Sequence, residues 1–199
     1  MFGKIGMFHG DQGISPELCN EINEEILNKI EPQEGEIGAG TAGTQDNVVR
    51  STAIRWISPY TEELYNKLIG VIMPYIHTCN RTNYCVDISG GCNEIQHTEY
   101  TEGQHYRWHM DTDFAPLEIN TQRYAMERKL SITIQLSDPD SYDGGDLEFF
   151  EREINLPKHL VRKQGTVIIF PSFLQHRVTM VNEGTRHSLV SWIEGTPWR

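Results

Sequence analysis

Apolar residues recur at every fourth position near the start of the chain, which is the periodicity of an amphipathic helix. This stripe follows Ser15-Pro16-Glu17, whose hydroxyl, proline ring and carboxylate each suit the first turn of a helix. The spacing therefore predicts a helix that packs one face against the rest of the protein. The apolar positions of that face are Leu18, Ile22, Ile26 and Ile30.

A second helical pattern begins at Ser58-Pro59-Tyr60, which repeats the residue order of a helix start. Pro74 has no amide hydrogen, and its ring collides with the preceding turn of a helix. We therefore expect this helix to run to about Met73 and to end or kink at Pro74. Its inward positions are Leu64, Leu68 and Ile72. Both helices are predicted to pack on the outside of a sheet, without a catalytic role.

Three further segments fill the first part of the chain. Residues 1–9 and 48–57 have strand-like patterns and predict two strands. Residues 32–46 are rich in Gly, Thr and Glu and show no periodicity. They predict a mobile loop that could cover a substrate.

From Tyr84 onward the pattern changes to short strands between turns rich in Gly, Asp and Pro. In the clearest strand, apolar residues alternate with polar ones, so one face can pack on the helices and the other can line a barrel interior. The apolar positions are Leu130, Ile132, Ile134 and Leu136, and the polar positions are Ser131, Thr133 and Gln135. Residues 143–146 and 182–184 predict turns. Many short strands with regular turns indicate a β-sandwich or a barrel.

The candidate chemistry lies on these strands. His109 and Asp111 are two residues apart, so on an extended strand both side chains point to the same face. His176 follows a strand-like apolar run and a turn, and is the best candidate for a third metal ligand. Two histidines and one carboxylate, with open positions left over, suit non-haem Fe(II). Each piece alone is common, since an isolated His-x-Asp arises by chance, but the ordered combination with Arg186 is far more specific.

At these residues the sequence resembles the Fe(II)/2-oxoglutarate-dependent oxygenases. Within them it resembles the prolyl 4-hydroxylase-like branch, including its small bacterial and phage members. The resemblance covers roughly residues 93–199, while the first 90 residues match mainly in kind, as helices that would buttress a barrel. The matching blocks are Tyr100 to Asp111, Leu136 to Leu147, Gly165 to Phe170, His176, and Arg186 to Trp192.

The resemblance implies a mainly β fold with flanking helices: a double-stranded β-helix, also called a jelly roll or cupin-like fold, buttressed by N-terminal helices. We predict one domain over residues 1–199. Residues 1–90 would supply mainly helices and some strands, and residues 93–199 the catalytic β-helix core. A chain of 199 residues is of ordinary size for one such domain.

The resemblance also implies a cofactor set. His109, Asp111 and His176 would hold Fe(II) and leave three positions for 2-oxoglutarate and O2, with ascorbate as an optional reductant. Arg186 matches the basic residue that binds the distal carboxylate of 2-oxoglutarate, and a guanidinium can do so through two parallel hydrogen bonds. Ser188 lies on the same face and could add a hydroxyl donor, or could be an ordinary strand serine.

Further roles follow from the same family pattern. Tyr100 is expected to hydrogen-bond the co-substrate near the metal, and Tyr106 and Trp192 to face the prime substrate. Either tyrosine could instead be a packing residue. Arg128 could reach the substrate at the mouth of the cavity or be a plain surface residue. Gln135 stands where many prolyl hydroxylases carry a tyrosine that contacts the co-substrate, and its amide can still donate a hydrogen bond.

The activity implied is hydroxylation of an unactivated C–H bond with release of succinate and CO2. A prolyl residue in a peptide or protein is the first choice of substrate, by resemblance to the branch. A free amino acid or other small molecule is the second, and an alkylated nucleobase is the third. A non-catalytic jelly roll that binds a metal or ligand is the alternative from a different class.

Charge and composition narrow the partners. A formal net charge of −11 argues against general nucleic-acid binding and suits a basic or neutral protein substrate. The sequence has no secretory signal and no membrane span, so we expect a cytoplasmic protein. The spacing of the four cysteines favours reduced thiols, although a zinc or disulfide cluster of the last three is conceivable. These cysteines are Cys19, Cys79, Cys85 and Cys92.

Overall fold

The computed structural model describes residues 5–35, 49–112, 126–151, 154 and 156–197. This part of the chain forms thirteen strands and three α-helices. The strands are β1 Gly6–Phe8, β2 Gln33–Glu34, β3 Arg50–Ser51, β4 Ala53–Ile57, β5 Gly91–Tyr100, β6 His105–His109, β7 Glu127–Gln135, β8 Tyr142–Gly144, β9 Leu147–Phe149, β10 Val167–Pro171, β11 His176–Val178, β12 Val181–Gly184 and β13 Arg186–Gly195. The helices are α1 Pro16–Lys29, α2 Glu62–Cys79 and α3 Lys158–Arg162.

The strands form a double-stranded β-helix, as the family resemblance implies. The larger sheet has seven strands in the order β1-β10-β7-β13-β5-β4-β2, and the smaller has four in the order β3-β6-β11-β9. A third, two-stranded sheet consists of β12 and β8. Every pairing is antiparallel, so inward and outward side chains alternate along each strand.

The main core lies between the two long helices and the larger sheet. Ile22 and Ile26 of α1 and Leu68 of α2 are fully buried there, among apolar residues of β5, β7, β10 and β13. Burial of one such side chain contributes about 1.5–3 kcal/mol relative to exposure. The expectation that the N-terminal helices buttress the sheet is therefore confirmed, and the opposite face of the sheet is left for polar residues.

The start of α1 is the one predicted from its residues. Ser15 caps the helix, because its hydroxyl accepts a hydrogen bond from the Leu18 amide at 3.3 Å, and Pro16 occupies the first turn. Leu18 and Ile30 pack partly buried against the core, beside the fully buried Ile22 and Ile26.

The predicted end of the second helix near Met73 is wrong. The helix α2 continues through Pro74 to Cys79, and a π-helical segment, Asn80–Tyr84, follows. Pro74 is exposed, so the carbonyl that loses its amide partner can bond to water. Ile76 and Cys79 are fully buried beyond it, and their burial offsets the cost of the proline.

Two other local expectations need correction. The predicted strand over residues 48–57 is two strands, because the chain passes from the smaller sheet to the larger one at Thr52, between β3 and β4. The predicted turn at residues 182–184 belongs to strand β12, which pairs with β8. Periodicity carries no information about which sheet a residue joins, so neither feature was visible in the sequence.

The structure describes only the start of the predicted mobile loop over residues 32–46. Its residues 33 and 34 form β2, which pairs with β4 at the edge of the larger sheet. Residues 36–46 lie outside the described residues, as does Val48. In the part of the chain that the structure describes, the helices are too short or too polar to cross a membrane.

Candidate metal centre and ligand cavity

His109, Asp111 and His176 meet at one end of the smaller sheet. His109 ends β6, His176 begins β11, and the two residues are direct partners in the antiparallel pair. Asp111 lies two residues beyond His109. Its amide donates to the Ser172 carbonyl at 2.8 Å, which holds Asp111 beside the segment between β10 and β11. Long-range pairing therefore brings the distant histidine to the His-x-Asp segment.

The spacing of the three side chains fits one divalent ion. The Asp111 Oδ1 lies 3.6 Å from His109 Nε2, and the Asp111 Oδ2 lies 3.6 Å from His176 Nε2. All three ligand atoms lie within 4.8 Å of one another. Atoms that bind one ion at about 2 Å must be this close together. Three ligands on one side leave the remaining positions of an octahedral ion open.

The histidines are oriented for ligation by backbone hydrogen bonds. The Nδ1–H of His109 donates to the Arg107 carbonyl at 2.7 Å, and that of His176 to the Leu174 carbonyl at 3.0 Å. Both Nε2 lone pairs are therefore available to an ion. Burial, reinforced by the neighbouring His176, lowers the pKa of His109 to about 3, so its imidazole is neutral.

The Asp111 carboxylate is held by a neighbouring serine. The Ser131 hydroxyl donates to Asp111 Oδ2 at 2.6 Å, and the Ser172 hydroxyl lies 3.0 Å from that of Ser131. Because Ser131 has one proton, Ser172 supplies the hydrogen of the second contact. Burial raises the pKa of Asp111, but the combined effect of His176, His109 and Ser131 is larger and opposite. The pKa of Asp111 is therefore below its ordinary value. Asp111 is thus an anionic carboxylate at neutral pH.

An open cavity of about 800 Å³ contains this centre. Arg186, the first residue of β13, lines the same cavity and is 3% exposed. Its Nη1 donates to the Ser188 hydroxyl at 3.3 Å, and that hydroxyl lies 2.6 Å from the Thr98 hydroxyl. No carboxylate of the described residues is within ion-pair distance of Arg186. A buried guanidinium without an anionic partner is costly unless a ligand supplies one.

Tyr100 and Tyr106 lie on two walls of this cavity. Tyr100 is the register partner of Arg186, and its ring centre lies 5.7 Å from the guanidinium. Tyr106 stacks on His109 with ring centres 3.5 Å apart, and burial raises the pKa of its phenol to about 12. The Arg50 guanidinium lies 4.7 Å from the Tyr106 ring centre.

Trp192 and Arg128 form another part of the wall. The Arg128 guanidinium lies 3.9 Å from the Trp192 ring centre and donates to the Asp111 carbonyl at 3.4 Å. Its Nη2 also lies 3.9 Å from a Glu94 carboxylate oxygen. Arg128 therefore lies against the wall of the cavity, rather than projecting alone into solvent.

Gln135 is the predicted site residue that does not line the main cavity. Its Nε2 donates to the Tyr142 hydroxyl at 2.9 Å, and both residues line a smaller, neighbouring cavity. The sequence analysis placed Ser131 and Thr133 on the polar face that lines the interior, but it assigned no role to Arg50, Thr98 and Tyr142, which also belong to the site. Strand alternation could have indicated Thr98, because it lies on the face of Tyr100. No sequence pattern indicated Arg50 or Tyr142, because they lie on other strands, β3 and β8.

In this jelly roll, two histidines, one carboxylate and a buried arginine share one cavity. Two histidines and one carboxylate with open coordination positions are the ligand set of non-haem iron proteins. The model of the 2OG-Fe(II) oxygenase superfamily matches residues 95–194, and the chain belongs to that family. The matched region begins within β5 and ends within β13, and so contains every site residue that was predicted from the sequence.

Among curated relatives, a PKHD-type hydroxylase of Shewanella frigidimarina is 32% identical over 99 residues, covering 48% of this chain and 40% of the relative. The PKHD-type hydroxylase YbiX of Escherichia coli is 26% identical over 192 residues, covering 94% of this chain and 78% of the relative. The match with the first of these thus spans less than half of that relative's length.

Two solved structures share the fold. The viral collagen prolyl hydroxylase of Paramecium Bursaria Chlorella virus-1, in a 2OG complex, superposes with a TM-score of 0.67 at 20% identity and covers 98% of both chains. A Trichoplax adhaerens prolyl hydroxylase, in complex with a hypoxia inducible factor peptide fragment, gives 0.68 at 18% identity, covering 95% of this chain and 82% of that one. At these identities the likeness concerns the fold.

Proposed function

We propose that this protein is an Fe(II)- and 2-oxoglutarate-dependent dioxygenase that hydroxylates a prolyl residue of a peptide or protein. The observation that carries the proposal is the buried Arg186, which has no carboxylate partner among the described residues and lines the same cavity as the His-Asp-His centre. A dicarboxylate that chelates the metal at one end would supply the missing anion at the other.

The residues present fit the metal that the family uses. His109, Asp111 and His176 would hold Fe(II), since two neutral imidazoles and one carboxylate form its usual facial set. With 2-oxoglutarate and O2, the bound iron supplies the oxidising chemistry. One oxygen atom of O2 enters the substrate as hydroxyl and the other enters succinate, with loss of CO2.

The protein's own residues bind and orient the reactants. Arg186 would hold the distal carboxylate through two parallel hydrogen bonds, with Ser188 beside it as a further donor. Tyr100 would contact the co-substrate from the neighbouring strand. Tyr106 and Trp192 would present aromatic surface to the prime substrate, with Arg128 beside Trp192. These side chains position the C–H bond and exclude water from it.

The choice of a prolyl peptide rests on the relatives and on the space in the cavity. The neighbours in fold are named prolyl hydroxylases, and one is in complex with a peptide fragment. A cavity of about 800 Å³ leaves room beside a small co-substrate for one residue of a chain. Glu94, Glu127 and Glu194 also line it, which suits a basic or neutral peptide.

Two alternatives make different predictions. A free amino acid or other small molecule would occupy the same cavity, so turnover alone cannot separate it from a peptide. A non-catalytic module would use the metal or the cavity for binding only. The open coordination positions and Arg186 argue against a purely structural metal site, which would be closed and would need no anion partner.

The test is succinate release from 2-oxoglutarate, with mass spectrometry of the second substrate. The panel comprises Pro-containing peptides with basic and with neutral flanks, the same peptides with Ala in place of Pro, and free amino acids including proline. We expect Fe(II)-dependent succinate formation and a gain of one oxygen only on Pro-containing peptides. Oxygen gained only by a free amino acid would favour the small-molecule alternative.

Variants that should lose activity, and variants that should keep it, also test the proposal. Asp111→Ala removes the carboxylate ligand and should abolish succinate formation, whereas Asp143→Ala, an exposed carboxylate outside the cavity, should not. Wild-type protein that binds 2-oxoglutarate but never turns it over with any substrate would favour the binding module.

We also propose a cytoplasmic location. Cys19, Cys79 and Cys92 are buried free thiols, and Cys85 is an exposed one. Free thiols persist in reducing compartments. Recovery of the native protein in a membrane or secreted fraction would contradict this.

A further inference from the structure

A second, smaller cavity adjoins the main one at Arg186. It has a volume of about 10 Å³, enough for about one water molecule, and Thr133, Leu147 and Arg186 line both cavities. Gln135 and Tyr142 line the smaller cavity only. Polar groups on these two side chains therefore approach the region that the distal carboxylate would occupy.

The hydroxyl of Tyr142 has a hydrogen to donate. Tyr142 is 6% exposed, and its oxygen accepts from Gln135 Nε2 at 2.9 Å. A phenol that accepts this bond keeps its own proton for another acceptor. Among the described residues, this hydroxyl accepts one hydrogen bond and donates none. Buried hydroxyls almost always find a partner, so the proton is free for an oxygen of a bound ligand or of an ordered water.

The Tyr142 ring is fixed in place and close to Arg186. The Arg162 guanidinium lies 4.2 Å from the ring centre and donates to the Tyr142 carbonyl at 2.7 Å. A Cβ added to Gly145 would lie 3.0 Å from Arg186 Cδ and 3.5 Å from Tyr142 Cε2. Glycine at this position thus allows the ring and the arginine side chain to approach the same point.

We propose that Tyr142 is a further co-substrate-binding residue, whose hydroxyl donates to the distal carboxylate of 2-oxoglutarate beside Arg186. The inference rests on the proposed function. It also explains Gln135, which stands where the resembled branch often has a tyrosine. Gln135 does not replace that tyrosine directly, but holds Tyr142, a residue of a different strand, at the subsite. Gln135 is therefore a positioning residue.

The experiment compares two 2-oxo acids by calorimetric titration into Mn(II)-loaded protein without O2. One is 2-oxoglutarate, and the other is 2-oxopentanoate, which has the same chelating end but a methyl group in place of the distal carboxylate. Tyr142→Phe should weaken 2-oxoglutarate binding about tenfold to a hundredfold, because it removes a hydrogen bond to a charged group. Binding of 2-oxopentanoate should change less than about twofold, because the carboxylate in question is absent.

Two further variants complete the design. Tyr84→Phe is the matched control, because it removes an equally buried phenol that donates to the Ile169 carbonyl outside the cavity, and it should leave both affinities unchanged. Gln135→Met keeps Tyr142 but removes its anchor, and should weaken 2-oxoglutarate binding several-fold. It also tests the proposal if Tyr142→Phe does not fold.

The outcomes are separable. An affinity for 2-oxoglutarate in Tyr142→Phe equal to that of wild type would overturn the role of Tyr142 while leaving the proposed function intact. Equal weakening of both acids would make Tyr142 a structural residue and would also overturn it. No binding of 2-oxoglutarate by the wild type would remove the proposed function itself.

Discussion

At the scale of single residues, the candidate centre depends on groups that never touch an ion. The two histidines present Nε2 because backbone carbonyls accept from their Nδ1–H groups. Asp111 presents its carboxylate because Ser131 donates to it from the neighbouring β7. Such supporting contacts fix ligand orientation before an ion arrives, and so reduce the ordering cost of binding.

Ser131→Ala should weaken Mn(II) binding by about tenfold, because the Asp111 carboxylate loses the donor that orients it. The readout is the Mn(II) dissociation constant from titration, with no substrate present. Ser191→Ala is the control, since it also removes a fully buried strand hydroxyl, but one bonded to the Glu94 carbonyl. If the two variants bind Mn(II) equally well, Ser131 does not position Asp111.

At the scale of elements, close backbone contacts join the ends of helices and strands. The turn before β10 is one example. The Ile14 amide donates to the Gly165 carbonyl at 2.9 Å, and the Gly165 amide donates to the Gln135 carbonyl at 2.8 Å. These bonds join the start of α1 to the end of β7. The backbone at Gly165 has a φ of +80°, which favours glycine.

Gly165→Ala should destabilise the protein by several kcal/mol more than Gly103→Ala. Both glycines have a φ of +80°, so each variant carries the backbone cost of about 1–2 kcal/mol. A Cβ at position 165 would also lie 1.8 Å from the Ile14 oxygen, whereas position 103 has open space. Urea unfolding of both variants measures the difference. Equal losses would mean that the contact at Ile14 relaxes without cost.

The same scale shows what the sequence could predict. The apolar stripes predicted α1 and the first part of α2, because a helix that buries one face has apolar residues at regular intervals. Alternation identified the polar face of β7. Which strands pair could not be predicted, because pairing depends on contacts between distant segments. For this reason Tyr142 and Arg50 were missed, while His109, Asp111, His176 and Arg186 were proposed from their order in the chain and from the resemblance to a family.

At the scale of the whole molecule, a polar contact links α1 to the larger sheet through the apolar core. His97 of β5 is fully buried, and its Nε2–H donates to the Asn23 amide oxygen at 2.8 Å. The ring stacks 5.2 Å from that of His187. Burial, then the neighbouring His187 and Arg55, lowers the pKa of His97 to about 3. Burial likewise lowers the pKa of His187.

These shifts predict acid sensitivity. Above about pH 6.5 His97 is neutral in both the folded and the unfolded chain, so it contributes no pH dependence. Between about pH 6.5 and pH 3 the unfolded chain takes up a proton that the folded protein rejects, so the free energy of unfolding falls as pH falls. The contribution of one such histidine is about 1.4 kcal/mol per pH unit.

His97→Gln should therefore show a shallower loss of stability below about pH 6 than wild type, by about 1.4 kcal/mol per pH unit. Urea unfolding at a series of pH values measures the slope. His77→Gln, at an exposed position of α2, is the control and should keep the wild-type slope. A wild-type slope in His97→Gln would show that His97 does not titrate as described.

The single domain over residues 1–199 stays a prediction that we propose to test by unfolding. Residues of α1 and α2 share one core with β5, β7, β10 and β13, so residues 1–90 and 93–199 should unfold together. Coincident transitions by circular dichroism and by tryptophan fluorescence are expected. Two separate transitions would divide the chain into two units.

The central claim is that one cavity binds a metal and 2-oxoglutarate, with Arg186 on the distal carboxylate. Calorimetric titration of 2-oxoglutarate into Mn(II)-loaded wild type, Arg186→Ala and Arg186→Lys tests it most directly. Arg186→Ala should bind about ten to several hundred times more weakly, because a charge-assisted, two-pronged contact is lost. Arg186→Lys should recover part of the loss, since it keeps the charge without the fork. Equal affinity in all three proteins, or no binding by the wild type, would contradict the claim.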